Sequence, residues 1–318
     1  MELLRIENLK TYFETKKGYV KAVDDVSFSL NYGESIGLIG ESGCGKTTIA
    51  LSITKLLPNE GRIIGGKILF EGENILELND EEIRKKRWKD TSIIFQGAMN
   101  ALNPVIKVGD QIAEAIVFHE GVSRDKGLKR VKELFELVEM KSNRINEYPH
   151  EFSGGMKQRV MIAMALACNP KLVIGDEPTT GLDVMIQSQI LNLLDKLRKE
   201  FNMGFIFITH DLSIISETCD RIAVMYAGRI VETGKIENIL NKAIHPYTKK
   251  LLSAFPNING PKKISEAIPG TPPNLITPPT GCRFHPRCEF ASDICKSIQP
   301  EMQKAEEGHY FSCYHGDV

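Results

Sequence analysis

The sequence predicts an α/β protein: a parallel sheet covered by helices, with a β-rich start, an inserted helical stretch and a small irregular C-terminal appendage. Three observations carry this expectation. Strand-sized apolar runs alternate with helical periodicities, a glycine-rich turn joins one such strand to a helix, and prolines punctuate the chain after Leu252. The 318 residues, 42% apolar and 25% charged, suffice for one large core and a smaller appended unit.

Residues 3–9 alternate roughly, Thr15-Lys16-Lys17-Gly18 is turn-prone, and residues 23–30 alternate apolar with polar side chains as a half-buried strand does. Ser35-Ile36-Gly37-Leu38-Ile39-Gly40 is a short apolar strand running into a Gly-rich turn and a helix over about 46–57. From about residue 79 to 169 the pattern is mostly helical, with apolar positions recurring at three- and four-residue spacing over 108–118 and 127–138. This reads as a helical subdomain inserted into the α/β core. Strands return at 172–174, 205–208 and 222–225, with a helix over 184–198 between the first two. After Leu252, Pro256, Pro261, Pro269, Pro272, Pro273, Pro278 and Pro279 interrupt a stretch without sustained periodicity, read as a linker and a small irregular domain.

Forty basic residues against forty-one acidic ones leave a formal charge of −1, so no global field draws the chain to nucleic acid or an anionic membrane. The basic run Arg84-Lys85-Lys86-Arg87-Trp88-Lys89 follows Asp80-Glu81-Glu82 and reads as a solvated helix face. The first residues mix charge throughout and lack the apolar stretch of a secretory signal, which implies a cytoplasmic chain. No segment approaches the roughly 18 apolar residues of a spanning helix, so work at a membrane would be that of a peripheral subunit.

Gly40-Glu41-Ser42-Gly43-Cys44-Gly45-Lys46-Thr47 fits G-x-x-x-x-G-K-[ST] in full, and Thr48 follows. Glycines let successive N–H groups face a polyphosphate, the helix N-terminus adds its positive end, Lys46 is placed to reach the β- and γ-phosphates, and the Thr47 hydroxyl is a candidate Mg2+ ligand. Leu172-Val173-Ile174-Gly175-Asp176-Glu177 is an apolar strand ending in two carboxylates. Asp176 is a candidate Mg2+ ligand and Glu177 a candidate base for the attacking water, although two acids after a strand also suit a solvated loop. His210 ends a third strand, where spacing alone does not separate a surface or capping histidine from one that contacts a γ-phosphate.

Phe152-Ser153-Gly154-Gly155-Met156-Lys157-Gln158-Arg159 resembles the L-S-G-G-Q signature of ATP-binding-cassette (ABC) proteins, departing from it at Phe152 and Met156. Other elements of that family recur in order: Gln96 looks like the Q-loop residue that ligates Mg2+, Gly181-Leu182-Asp183 resembles the D-loop, His210 falls at the switch histidine, and Phe13 looks like the aromatic that stacks on adenine, with Tyr12 its rival. The resemblance covers residues 1 to about 235. It implies a P-loop NTPase (RecA-like) core with an N-terminal antiparallel β subdomain and a helical signature subdomain at about 99–168. It further implies Mg-ATP hydrolysis, and head-to-tail pairing in which Ser153, Gly154 and Gly155 act on the nucleotide of a second cassette. Residues 241–252, Ile268-Pro269-Gly270 and 278–288 are similar to the C-terminal extension of dipeptide and oligopeptide importer ATPases, a subfamily that includes nickel importers. The domains expected on this basis are 1–255 for the nucleotide-binding domain and 256–318 for the extension. The partners expected are two transmembrane permease subunits and an extracytoplasmic substrate-binding protein, with no nucleic acid. A DNA-repair ATPase of the same superfamily would need a longer insertion between Lys46 and Ser153, and a non-hydrolysing regulatory cassette would not need Lys46, Asp176, Glu177 and His210 together.

Cys282, Cys288, Cys295 and Cys313 form a C-x5-C-x6-C-x17-C pattern, four thiols in a chain expected in a reducing compartment. Four ligands suit a [4Fe-4S] cluster, which the wide spacing favours, or zinc with His285, His309 or His315 as substitutes; unligated or disulfide-linked cysteines remain the third reading. The expected role is structural, metal supplying fold energy to a segment poor in core-forming residues.

Overall fold

The computed structural model describes residues 1–97, 101–254 and 268–316. Strands β1 (Glu2–Thr15), β2 (Gly18–Asn31) and β3 (Ser35–Ile39) precede helix α1 (Lys46–Ile53), strands β4 (Gly61–Phe70) and β5 (Glu73–Asn74), helix α2 (Asp80–Lys86) and strand β6 (Thr91–Ile94). Helices α3 (Val108–Glu120), α4 (Arg124–Leu137) and α5 (Gly154–Ala165) follow, then β7 (Leu172–Asp176), α6 (Val184–Glu200), β8 (Gly204–Ile208), α7 (Leu212–Thr218), β9 (Arg221–Tyr226) and β10 (Arg229–Lys235). The chain continues through α8 (Ile236–Lys242), α9 (Pro246–Ser253), α10 (Asp293–Ser297), β11 (Gln303–Glu306) and β12 (His309–Phe311).

These elements form two compact units, one of Met1–Leu3, Asn31–Glu34 and Glu77–Phe207, the other of Leu4–Leu30, Ser35–Leu76 and Ile208–Val318. In the first, β6 and β7 pair in parallel, and every residue of β7 is buried, as a strand covered on both faces requires. Around them α4 turns Val131, Leu134 and Phe135 inward, and α6 buries Ile190, Leu191, Leu193, Leu194 and Leu197. Helix α2 starts with a capping box between Asn79 and Glu82, and its basic end is laced by Lys85–Glu81 and Lys86–Asp90 pairs. Just beyond it, Trp88 donates its indole N–H to Met164 O on α5 at 3.0 Å and meets His119 edge-on.

In the second unit β4 pairs antiparallel with both β1 and β5, the strand order being β2-β1-β4-β5. Its other strands follow the order β11-β12-β10-β9-β3, with β3 and β9 parallel and the remaining pairs antiparallel. Strand β3 is buried throughout and leads directly into the loop before α1.

Several elements escape the sequence pattern. Strand β6 lies inside the stretch read as helical, because four residues are too few to declare a period. Strands β11 and β12 lie in the segment read as irregular, and exist because β12 finds β10 as a partner. Helix α1 stops at Ile53, after which Lys55 takes a positive φ of 49°. The expected domain boundary at 255/256 and the expected start of the helical subdomain near 99 lie outside the described residues. Among the described residues no helix is long and apolar enough to cross a membrane.

Candidate functional site

The phosphate loop is held by its own carbonyls and by glycine geometry. Lys46 is buried, and its ammonium donates to Gly40 O at 2.7 Å and Glu41 O at 3.1 Å, with Cys44 Sγ at 3.6 Å. Gly45 precedes α1 at φ 110°, and a Cβ there would stand 2.1 Å from Ala22 O, so only glycine fits. Helix α1 carries no side-chain cap, which leaves the first-turn N–H groups of Lys46, Thr47 and Thr48 to serve an anion. Ser42, Gly43 and Thr47 are exposed at the mouth of this cradle, while burial of Cys44 pushes its thiol up and keeps it neutral.

Phe13 lies on β1 opposite Gly61, its ring covering the glycine face, whereas the Tyr12 phenol donates to Asp24 at 2.7 Å. Burial, with Asp24 beside it, pushes that phenol up to about 12. The Tyr12 phenol is thus committed to a carboxylate, whereas the Phe13 ring packs on a glycine. His210 is exposed beyond β8, between Thr209, whose N–H donates to Leu38 O at 3.4 Å, and Asp211, which caps α7 through Ser213 N at 2.9 Å.

In the other unit Asp176 ends β7, 4% exposed, and Glu177 turns the chain at φ 48°. Parallel pairing of β6 with β7 brings Gln96 to Glu177: its amide donates to Oε2 at 2.7 Å, and the Thr180 hydroxyl donates to the same oxygen at 2.9 Å. Two donors on one oxygen fix the carboxylate's orientation, which a base for a water molecule needs. Thr180 was not among the residues singled out in the sequence; its spacing of three from Glu177 was the available signal.

Ser153 is the N-cap residue of α5, but its exposed hydroxyl makes no capping bond. Asp183 does cap α6, accepting from Ile186 N at 3.0 Å. The two helix starts meet where a Cβ on Gly155 would stand 2.6 Å from Ile186 Cγ2, so Gly155 permits the signature turn to lie against the D-loop helix. Both departures from the family signature touch one residue: the Arg144 guanidinium lies 4.6 Å from the Phe152 ring centroid and 3.1 Å from Met156 Sδ, and also donates to Glu151 O. The substituted residues therefore brace the turn from behind and leave Ser153, Gly154 and Gly155 in place.

The expectation of a metal on Cys282, Cys288, Cys295 and Cys313 is corrected, for iron–sulfur and zinc alike. Among the described residues no group of three or more histidine, cysteine or acidic side chains is disposed to hold a metal ion. The four cysteines form no disulfide. Burial raises the Cys282 thiol to about 11 and pushes Cys288 and Cys313 up. The neighbouring imidazoles are committed elsewhere: His309 to Glu232, His315 to Ser292 and His285 to Cys282 O. What holds the segment is ordinary packing and polar pairing. Phe284 is 1% exposed and packs edge-on against Tyr226 and Tyr247. Buried Glu232 accepts from Ile244 N, His245 N and His309 Nε2. The expected role of a metal was to supply fold energy to a segment without a core of its own, whereas the segment shares a core with β9, β10 and α9.

A glycine-bounded phosphate cradle at the end of a buried strand, with an oriented carboxylate and a signature turn on the other unit, defines a nucleotide-hydrolysing cassette ATPase. Comparisons with known proteins agree. The "ABC transporter" family model matches residues 23–180, and the "Oligopeptide/dipeptide transporter, C-terminal region" model matches residues 231–295. The chain is 47% identical to the oligopeptide transport ATP-binding protein OppD of Bacillus subtilis over 313 residues, 97% of this chain and 87% of that one. It is 44% identical to OppD of Escherichia coli over 314 residues, 98% and 93% of the two chains. Among solved structures, the ATP-binding cassette MJ0796, a dimer in a post-hydrolysis state bound to ADP and Pi, aligns with TM-score 0.66 and 26% identity over 74% of this chain and 99% of that one. The chain belongs to the ATP-binding subunits of ABC transporters, closely related to the OppD type, and it hydrolyses ATP.

Proposed function

We propose that this subunit powers the import of di- or oligopeptides, as one of a pair of cassettes at the cytoplasmic face of a membrane, attached to two permease subunits fed by an extracytoplasmic binding protein. The observation that carries the reading is near full-length similarity to oligopeptide transport ATP-binding proteins, including a C-terminal segment with its own family match. Residues 1–255 then form the nucleotide-binding domain and residues 256–318 the extension typical of such importers.

In this reading the Phe13 ring stacks on adenine, and the N–H groups of residues 40–48 bind the phosphates. The Lys46 ammonium, already bound by loop carbonyls, shares its protons with the β- and γ-oxygens. Thr47, Gln96 and Asp176 offer hydroxyl, amide and carboxylate oxygens, the donor chemistry that Mg2+ takes, and the ion would neutralise phosphate charge. Glu177, oriented by Gln96 and Thr180, polarises the attacking water, and His210 contacts the γ-phosphate. Ser153, Gly154, Gly155 and Asp183 close on the nucleotide of the paired cassette, and the parting of the pair after hydrolysis moves the permeases.

The test is reconstitution with permease and binding-protein subunits. Peptide should stimulate ATP turnover and enter vesicles, and Glu177→Gln should lower kcat by about 100-fold or more while ATP affinity persists. Undiminished turnover in that variant removes Glu177 from its role; turnover that responds to DNA and not to the membrane subunits removes the transport reading.

A further inference from the structure

A fully bonded arginine of the second unit belongs to the C-terminal segment. Arg287 is buried, and all five of its N–H donors are used. Nη1 donates to Glu41 Oε2 at 2.6 Å and to the Tyr226 hydroxyl at 3.3 Å; Nη2 donates to Glu41 Oε1 at 2.9 Å and Ile268 O at 3.3 Å; Nε donates to Pro269 O at 2.7 Å. Glu41 is the second residue of the phosphate loop, and it too is bonded on every side. Its N–H donates to the Tyr247 hydroxyl at 3.0 Å, and its carbonyl accepts from Lys46 Nζ and from Cys44 N. The residue that Arg287 holds by its carboxylate is thus the one whose carbonyl holds the Lys46 ammonium.

A second arginine repeats the pattern on the strands at the start of the chain. Arg283, also buried, pairs with Asp24 and with Ala227 O, and Asp24 in turn accepts the Tyr12 phenol, one residue from Phe13. Backbone continues the attachment where Lys21 N donates to Leu275 O at 3.0 Å.

We propose that the C-terminal segment is an internal strut for the nucleotide site, in which Arg287, through Glu41, is a positioning residue for the phosphate loop and Arg283, through Asp24, for the strand that carries Phe13. The proposal rests on reading residues 40–48 as the nucleotide site. A bidentate, buried guanidinium–carboxylate pair is short, directional and geometrically specific, and lysine cannot reproduce its fork. The segment thus acts on ATP affinity without touching ATP.

The experiment measures MgATP dissociation constants and the KM and kcat of hydrolysis for full-length wild type, Arg287→Ala, Arg287→Lys, Glu41→Gln and the Arg287→Ala/Glu41→Gln double variant. Thermal midpoints and protease sensitivity of the tail are read alongside. Arg287→Ala should raise Kd and KM by about tenfold with kcat within roughly twofold, Arg287→Lys should fall between, and the double variant should be no worse than the poorer single. A merely structural arginine would lower the active fraction while leaving the Kd of that fraction at the wild-type value, and this outcome overturns the proposal. If Arg287→Ala does not fold, Arg287→Lys decides: wild-type Kd in that variant overturns the proposal, a raised Kd supports it. Wild type that fails to bind MgATP overturns the nucleotide reading itself, a separate result.

Discussion

The two glycine-rich turns of this protein are built on opposite plans. The phosphate loop is anchored from within its own unit: Lys46 is bound to loop carbonyls, Glu41 is gripped by Arg287 and Tyr247, and Gly45 is pressed against a backbone oxygen. The signature turn is presented outward, its Ser153 hydroxyl exposed and unused as a cap, with Phe152 and Met156 seated on Arg144 behind it. The first plan suits a site that must fix a polyphosphate before any partner arrives. The second suits a turn whose polar groups are reserved for another molecule.

The comparison can be broken at its glycines. Gly45→Ala combines a left-handed φ with a collision against Ala22 O, and should cost more than about 3 kcal/mol and abolish ATP binding, as read by denaturation and calorimetry. Gly155→Ala meets only the Ile186 side chain, so its cost should be roughly 1–2 kcal/mol, relieved in part by Ile186→Ala, which removes the colliding Cγ2 methyl. Equal costs at the two positions would erase the distinction between them.

Acid should sharpen it next. His245 caps α9 by accepting Tyr247 N at 3.1 Å, and complete burial pulls its ring down to about 3. With the folded value below the unfolded one of about 6.5, this contribution is whole above pH 6.5 and is lost as pH falls toward 3. Denaturation midpoints should show about 1.4 kcal/mol lost per pH unit below 6.5, and His245→Asn should flatten that slope. The smallest effect belongs to the presented turn: Ser153→Ala should change stability by less than about 0.5 kcal/mol, where a working serine cap is worth about 1, yet should impair turnover by the paired enzyme. A full capping penalty in thermal unfolding would place the hydroxyl in the helix instead.

What the sequence disclosed follows from the range of the interactions involved. The phosphate loop, the acidic strand end and the signature turn were legible because each is a contiguous run whose chemistry is local. Strand β6 was not, since Thr91–Ile94 is a strand only by virtue of β7 beside it. The tail was misread for a related reason. Its proline-rich stretch looked too poor in apolar residues to fold, and four cysteines supplied a tempting metal, yet Phe284 packs on Tyr226 and Tyr247, and Arg287 reaches an acid 246 residues away. No spacing rule within residues 268–316 could disclose a partner at position 41.

Trp88 is the sole tryptophan, and its indole is bonded to the far end of the helix that begins at the signature turn. Intrinsic emission is therefore a label nature has already attached to one unit. In the pairing proposed above, closure of a second subunit onto Ser153 would be observable as a change in colour or intensity without adding any dye, because the emission speaks for the signature helix rather than for the glycine-rich loop before α1.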